Sequence, residues 1–507
     1  MMRLSQVAFA LNAQLIGPDV EFMTVSTDSR KIQTGDLFIA LRGENFDGYA
    51  YVAQSLQSGA VAAMVNKNRI EDCGSGIGDR RLKGAEPNVQ SHASNSPLAP
   101  QSSILIVEDT RLALGQLAAY WRKQFDIPLV AITGSNGKTT VKEMLAAILR
   151  QQTKENFRVR SLSLRGRVGE GEGTENSDAA VLATQGNFNN DIGMPLTLLQ
   201  LREQHRYAVI EMGMNHPGEI AYLTRLAQPQ VAVVNNASGA HLQGLGSIAA
   251  VACAKGEIFA GLGKSGTAVI NADDEYASVW RDLASTHRVL DFALHHAAAV
   301  QGVWTAQGYG GVLQARTPSG ELRAVLQVPG EHNARNALAA ATAAIALQIP
   351  LSVITGGLEN FGGVSGRLQR KHGVRGATLI DDTYNANPAS MIAALEVLAQ
   401  ASGKRIFVLG DMGELGDDAA QFHRDIGEVA RKSGIEQLFA LGELSAGAAK
   451  EFGAGARHFA DIETLCAALD KELDAQTTVL VKGSRFMKME RVVQFCAAQK
   501  EKACCSH

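Results

Sequence analysis

The residues best suited to chemistry lie in the stretch PLVAITGSNGKTTVKEML, Pro128 to Leu145. The apolar run Leu129 to Thr133 reads as a buried strand, and a helix opens near Lys138. Between them Gly134, Ser135, Asn136 and Gly137 form a turn whose glycines let backbone amides close around a phosphate. Lys138 would neutralise the terminal phosphates, and Thr139, followed by Thr140, offers a hydroxyl to magnesium. The loop is compact: the usual pattern has a glycine about five residues before Gly-Lys, where this chain has Ile132. A strand, a turn and a helix capped by threonine would share this layout without binding anything. Gly-Lys-Thr-Thr directly after an apolar strand favours a nucleotide.

Other candidates sit where apolar runs end. Glu211 closes YAVIE just before the polar, Gly/Pro-punctuated MGMNHPGEI, which suits a magnesium ligand as well as an ordinary cap or ion pair. His241 lies in the Gly-rich NNASGAHLQGLGS, where a structural and a ligand role are about equally supported. Lys255, in VACAKGEIF, reads on pattern alone as a solvated lysine on a helix. Asn333 and Asn336 share one face at the start of a helix, able to cap it or to hold a purine or ribose. Asp381 and Asp382, in DDTYNANP, suit a ribose hydroxyl or a metal.

These side chains must be held by a scaffold, and one pattern recurs from Pro128 onward. A short β-branched run ends abruptly in polar residues and a helix follows. It appears in LVAIT, YAVIEMG, VAVVNNASGAH, TAVINADD, ATLIDDTYNANP, RIFVLGDMGELG and TVLVKGSR. Continuous apolar strands alternating with helices predict an α/β protein with mostly parallel sheets covered on both faces. Ligands in such sheets bind beyond the carboxyl ends of the strands, so the polar ends predict an extended active-site rim.

At 507 residues the chain is too long for one core, and about two to four domains are expected. Lys+Arg number 48 against 51 Asp+Glu, which gives no reason to expect a nucleic-acid partner. The six cysteines include no C-x-x-C pair, arguing against a disulfide framework or zinc site and for a reducing compartment. The most apolar window, from Asn336, is broken by Thr342, Gln348 and Pro350, so it predicts a buried Ala-rich helix rather than a membrane span. The N-terminal Leu4, Val7, Ala8 and Leu11 fall at helical spacing, without a cleavage-like segment. Together these predict a cytoplasmic chain.

Two biased stretches interrupt the pattern. Residues 68–103 and 153–182 are rich in Gly, Ser and charge and are expected to be flexible insertions. TRLALGQLAAYWRKQF, between them, is expected to be an amphipathic connecting helix.

The motifs ITGSNGKTTVKE, QGNFNNDIGMPLTLL, VIEMGMNHPGEI, NNASGAHLQGLGS, AKGEIF, GEHNARNALAA, DDTYNANPASM, LGDMGELG and VKGSRFMKMERVV together resemble the Mur ligases of bacterial peptidoglycan synthesis. The likeness spans nearly the whole chain apart from the two biased stretches, and this family uses a shortened phosphate loop. It implies an N-terminal UDP-substrate domain over 1–111, a central P-loop ATPase domain over 112–364 and a C-terminal Rossmann-like domain over 365–507. Within the family, the likeness points to the member that joins D-alanyl-D-alanine to UDP-N-acetylmuramoyl-tripeptide with ATP and Mg2+, two ions of it, acting as a monomer.

The resemblance also implies roles. Lys138, Glu211, His241 and Lys255 correspond to the catalytic set, with Thr139, Glu211, His241 and a carbamylated Lys255 on the metals. Asn333, Arg367 and Asp382 correspond to nucleotide-contacting positions. Ser29, Arg30 and Asp47, from STDSR and LRGENFDG, with Asn187, Asn190 and Asn385, correspond to substrate-gripping positions. Three rivals are weaker. The neighbouring ligase that adds the third amino acid carries Asp-Asn-Pro-Arg, which does not occur here. Folylpolyglutamate synthetase lacks a UDP-binding N-terminal domain, and residues 1–67 speak against it. A nucleotide switch would leave Glu211, His241, Lys255 and DDTYNANP without a task.

Overall fold

The computed structural model describes residues 1–43, 46–73, 102–164, 177–238 and 245–497. Among these, the chain forms two compact units. One comprises Met1–Leu129, Leu182–Met212 and Tyr222–Gln228; the other comprises Val130–Val181, Gly213–Ala221 and the described chain from Pro229 onward.

The first unit is built on a five-stranded sheet ordered Gln14–Ile16, Ser103–Val107, Ala62–Asn66, Asp36–Ile39, Thr24–Ser26. Its first pair is antiparallel and the others are parallel. The helix expected in TRLALGQLAAYWRKQF spans Thr110–Arg122 and starts where Asp109 accepts from the amides of Arg111 and Leu112. Its Ala113, Leu114, Leu117 and Ala118 are buried, and each leucine contributes roughly 1.5–3 kcal/mol.

In the second unit, the strands Leu129–Thr133, Val231–Val234, Thr267–Asn271 and Arg288–Ala293 run parallel in that order. Val300–Gln307 continues the order in parallel, and Gly310–Thr317 and Gly320–Leu326 complete it as antiparallel hairpins. A separate six-stranded sheet follows, ordered Gln369–His372, Thr378–Asp382, Thr477–Lys482, Lys404–Gly410, Gln437–Leu441, Ala456–Phe459. All its neighbours are parallel except the first pair. Every apolar run singled out from the sequence is a strand, buried along most of its length as expected of parallel strands covered on both faces. The Ala-rich window forms the helix Glu331–Ala346, followed after Pro350 by Leu351–Glu359. No helix among the described residues is long and apolar enough to cross a membrane.

The expected insertions begin later than their composition suggested. The helix that opens at Lys138 runs unbroken to Leu164, so Thr153 to Leu164 is helical rather than a loop. No Gly or Pro interrupts it, and polar neighbours four apart satisfy one another: Gln151 donates to Glu155 at 3.3 Å and Gln152 to Asn156 at 2.8 Å. Thr153 is buried and returns its hydroxyl to the Arg150 carbonyl. Likewise, Lys67–Cys73 is a 3-10 segment held by Arg69, and the strand resumes at Ser103. The remainder of both stretches, 74–101 and 165–176, lies outside the described residues.

Candidate active site

The phosphate loop is built as its sequence requires. Gly134 and Gly137 have φ of +156° and +78°. A side chain at Gly137 would come within 2.2 Å of Asn336 Oδ1 and 2.6 Å of Asn235 Nδ2, so only hydrogen fits. The helix follows at Lys138, aiming free amides at the loop. Lys138 Nζ donates to the carbonyls of Gly134 at 2.7 Å and Ser135 at 3.3 Å, folded back over its own loop.

A network of asparagines buttresses that loop. Asn235 Nδ2 donates to the Asn136 carbonyl and to Asn336 Oδ1, both at 2.9 Å. Asn336 Nδ2 donates to Asn333 Oδ1 at 3.3 Å, and Asn333 Nδ2 to the Pro329 carbonyl at 2.7 Å. Asn271 donates to the Asn235 carbonyl at 2.9 Å, tying in the next strand end. Asn236 Oδ1 accepts from the Asn136 amide at 2.8 Å, and Ser135 exchanges hydrogen bonds with Ser238. Asn333 and Asn336, open on sequence between capping and ligand binding, thus form a buried strut from loop to helix. Asn236 and Ser238 were missed; a polar residue at a strand end signals its neighbourhood, not its own contacts.

The segment after the Leu351–Glu359 helix converges on the same loop. Arg367 Nη2 donates to Thr139 Oγ1 at 3.1 Å, its guanidinium lies 4.3 Å from the Tyr384 ring centroid, and its Nε is buried with no partner among the described residues. Asn387 caps the helix Pro388–Ala399 through its carboxamide oxygen and donates Nδ2 to Asn136 Oδ1 at 2.8 Å. Nothing in the sequence singles out Asn387; only folding brings it to the loop.

Asp382 ends its strand in an ion pair with buried Lys482 at 2.6 Å, while its other oxygen accepts from the Leu368 amide at 3.1 Å. Asp381 pairs with Lys371 at 2.6 Å and accepts from Thr383. Lys482 also donates to the Asn385 carbonyl at 3.0 Å. His332 sits near this group, and burial holds its imidazole down to about 4 despite the Asp382 carboxylate.

Lys255 is not the solvated lysine its pattern suggests. It is 1% exposed on the helix Ile248–Gly256. Burial, reinforced by the Lys138 ammonium, holds its amine well below the ordinary lysine range. A buried neutral amine can act as a nucleophile, whereas a solvated ammonium cannot. The helical period alone could not reveal this. His241 lies outside the described residues.

In the first unit, Glu211 is buried at the end of Tyr207–Glu211 and accepts from Asn189 Nδ2 at 2.9 Å. Asn189, which the sequence did not single out, is the asparagine that reaches it. Asn190 Oδ1 instead receives the amides of Ile192 and Gly193, starting the helix Gly193–Leu198. Asp28 caps the 3-10 turn Ser29–Lys31 and binds Arg30, which holds its carboxyl down to about 2 while the arginine stays exposed. Asp47 starts the next turn and pairs with Arg69 at 2.7 Å, lowering its carboxyl. Arg69 in turn lies 4.2 Å from the Tyr49 ring centroid. Arg69 was hidden in the stretch expected to be an insertion.

A family model described as the Mur ligase middle domain matches residues 132–344, spanning the loop, Lys255 and the asparagine strut. The Mur ligase, glutamate ligase domain matches 366–485, and the Mur ligase family, catalytic domain matches 21–122. The chain belongs to the Mur ligase family. Among curated relatives within it, the UDP-N-acetylmuramoyl-tripeptide–D-alanyl-D-alanine ligase of Escherichia coli (strain K12) is 39% identical over 498 residues, 97% of each chain. A crystal structure of MurF from Acinetobacter baumannii aligns with a TM-score of 0.80 at 33% identity, covering 97% of both chains. MurF from Thermotoga maritima in complex with ADP has the same fold, at a TM-score of 0.72 and 24% identity over 93% of this chain and 96% of that one. These Mur ligases share the three-segment α/β architecture seen here.

Magnesium, which the family implies, prefers hard oxygen donors. Within the second unit, the buried Thr139 carries a hydroxyl of that kind at the loop. Lys255, also in the second unit, carries no oxygen and could offer one only as a carbamate. No group of three or more His, Cys, Asp or Glu converges on a metal-sized site among the described residues.

Proposed function

We propose that this Mur ligase joins D-alanyl-D-alanine to UDP-N-acetylmuramoyl-tripeptide, converting ATP to ADP and phosphate, in the cytoplasm. The observation that carries this reading is the 39% identity to the E. coli ligase of that name over 97% of each chain.

A carboxylate and an amine do not condense unaided, because oxide is too poor a leaving group. A terminal carboxylate oxygen of the tripeptide attacks the γ-phosphorus of ATP, releasing ADP and giving an acyl phosphate. The dipeptide amine adds to the acyl carbon, loses a proton, and phosphate leaves from the tetrahedral intermediate. Lys138, swung out from its loop carbonyls, would follow the charge on the transferring phosphoryl group, with Arg367 beside it. The loop amides from Ser135 to Thr140 would hold the phosphates.

Thr139, Glu211, His241 and Lys255 would hold magnesium, which supplies neutralisation of phosphate charge when bound. For Lys255, the neutral amine attacks the carbon of carbon dioxide; a nitrogen–carbon bond forms as one carbon–oxygen π bond opens, and the nitrogen loses a proton to leave an anionic carbamate. Asn333, Arg367 and Asp382 are assigned to the nucleotide. Ser29, Arg30, Asp47, Asn187 and Asn190 are assigned to the UDP-muramoyl substrate, and Asn385 to the substrate side of the C-terminal segment.

The test measures phosphate release with ATP and magnesium, adding the UDP-tripeptide and the dipeptide singly and together. Release only with both, with a UDP-muramoyl-pentapeptide product, is expected. Release with the tripeptide and a different amine, but not with D-alanyl-D-alanine, would overturn the acceptor assignment.

A further inference from the structure

The hairpin joining Val300–Gln307 to Gly310–Thr317 turns through Gly308 and Tyr309, with Gln307 paired to Gly310. Gly308 has φ +60°, as a tight two-residue turn requires. A hairpin tip ordinarily faces water. Here the Tyr309 ring packs against the core formed by Leu368, Ile380, Met391 and their neighbours. Its hydroxyl donates to the Leu368 carbonyl at 2.7 Å, and the Arg370 guanidinium lies 5.4 Å from its ring centroid.

Leu368 is an unusual residue to grip. It has φ +49°, a left-handed conformation that costs a branched side chain about 1–2 kcal/mol. Its peptide groups are held from two sides: the amide donates to Asp382 and the carbonyl accepts from Tyr309. Immediately before it, Gly366 has φ +70° and Arg367 donates its amide to the Val364 carbonyl. This kinked backbone aims the Arg367 side chain at Thr139.

We propose that Tyr309 is a positioning residue for the nucleotide site, holding the Leu368 peptide so that Arg367 meets Thr139 and the phosphate beside it. It touches no reacting atom and acts through Arg367, and the inference rests on the nucleotide assignment of Arg367 above. The unpartnered buried Nε of Arg367 is consistent with a guanidinium held ready for an anion.

The test is Tyr309→Phe, which keeps the ring and removes only the hydroxyl. Calorimetric titration with ADP, without either acceptor substrate, should show affinity weakened by about five-fold. The thermal midpoint should stay near that of the parent, and KM for the dipeptide should not move. In an Arg367→Lys background, Tyr309→Phe should weaken ADP by less than about two-fold, because its effect is already lost. Unchanged ADP affinity, or the full five-fold loss in that background, would overturn the proposal. If Tyr309→Phe does not fold, Arg370→Gln replaces it: weaker ADP binding supports the clamp, and parental binding rejects it. Parental protein that binds ADP but forms no pentapeptide product would remove the acceptor assignment and leave this one standing.

Discussion

The guanidinium of Arg367 donates to the hydroxyl of Thr139 at 3.1 Å, across 228 positions of sequence. One residue lies just after the loop glycines and the other near the start of the last matched family segment, so the contact ties two matched segments together. Arg367→Lys keeps the charge but loses the planar stack on Tyr384 and the fork of donors. Initial rates over a range of ATP should show kcat/KM reduced by about ten-fold or more. Parental kinetics would show that the contact has no part in catalysis.

Lys255 should reveal itself in both activity and stability. Lys255→Ala is expected to abolish ligation, with partial return on adding a short carboxylate. The stability effect follows from proton counting. Because its folded amine titrates below 10.5, the native state binds fewer protons than the unfolded state from that depressed value up to about pH 10.5. Parental stability therefore rises with pH through this window. Lys255→Met should be more stable than the parent near neutrality, with the advantage shrinking toward pH 10.5. Urea midpoints across that range, compared at equal buffer composition, would measure it.

Gly137→Ala combines a positive φ with a collision on Asn336 and Asn235. A loss of about 2–4 kcal/mol in chemical denaturation is expected. Nucleotide affinity should fall even at temperatures where the variant is folded. A variant as stable as the parent would mean that the loop relaxes freely, against its tight buttressing.

The Asp382–Lys482 pair is almost wholly buried, so removing one partner strands the other. Lys482→Met should cost about 3–5 kcal/mol, read from the urea midpoint at constant m-value. Replacing both residues by apolar ones of similar size should recover part of that loss.

His332 should set part of the acid limb. Its imidazole titrates at about 4 in the folded chain, against 6.5 unfolded, so the unfolded state takes up the extra proton between those values. Stability is lost as pH falls from about 6.5 to about 4. His332→Asn should flatten that part of the profile, whereas an unchanged slope would mean that other groups govern it.

Sequence alone determined the strands, because a parallel strand covered on both faces needs an uninterrupted apolar run. It also determined the loop, because glycines followed by Lys-Thr leave few alternatives to phosphate. It misjudged where the second biased stretch begins: Thr153 to Leu164 look polar and loop-like, yet continue a helix in which Glu155 and Asn156 accept from Gln151 and Gln152. Tertiary structure alone decided that Lys255 is buried rather than solvated, since a helical position does not say which face meets a neighbour. It also decided that Asn387 and Arg367 reach the phosphate loop and that Tyr309 grips Leu368. Those contacts join residues far apart in the chain. Local propensity acts over a few residues and carries no information about them; only packing of the assembled sheets does.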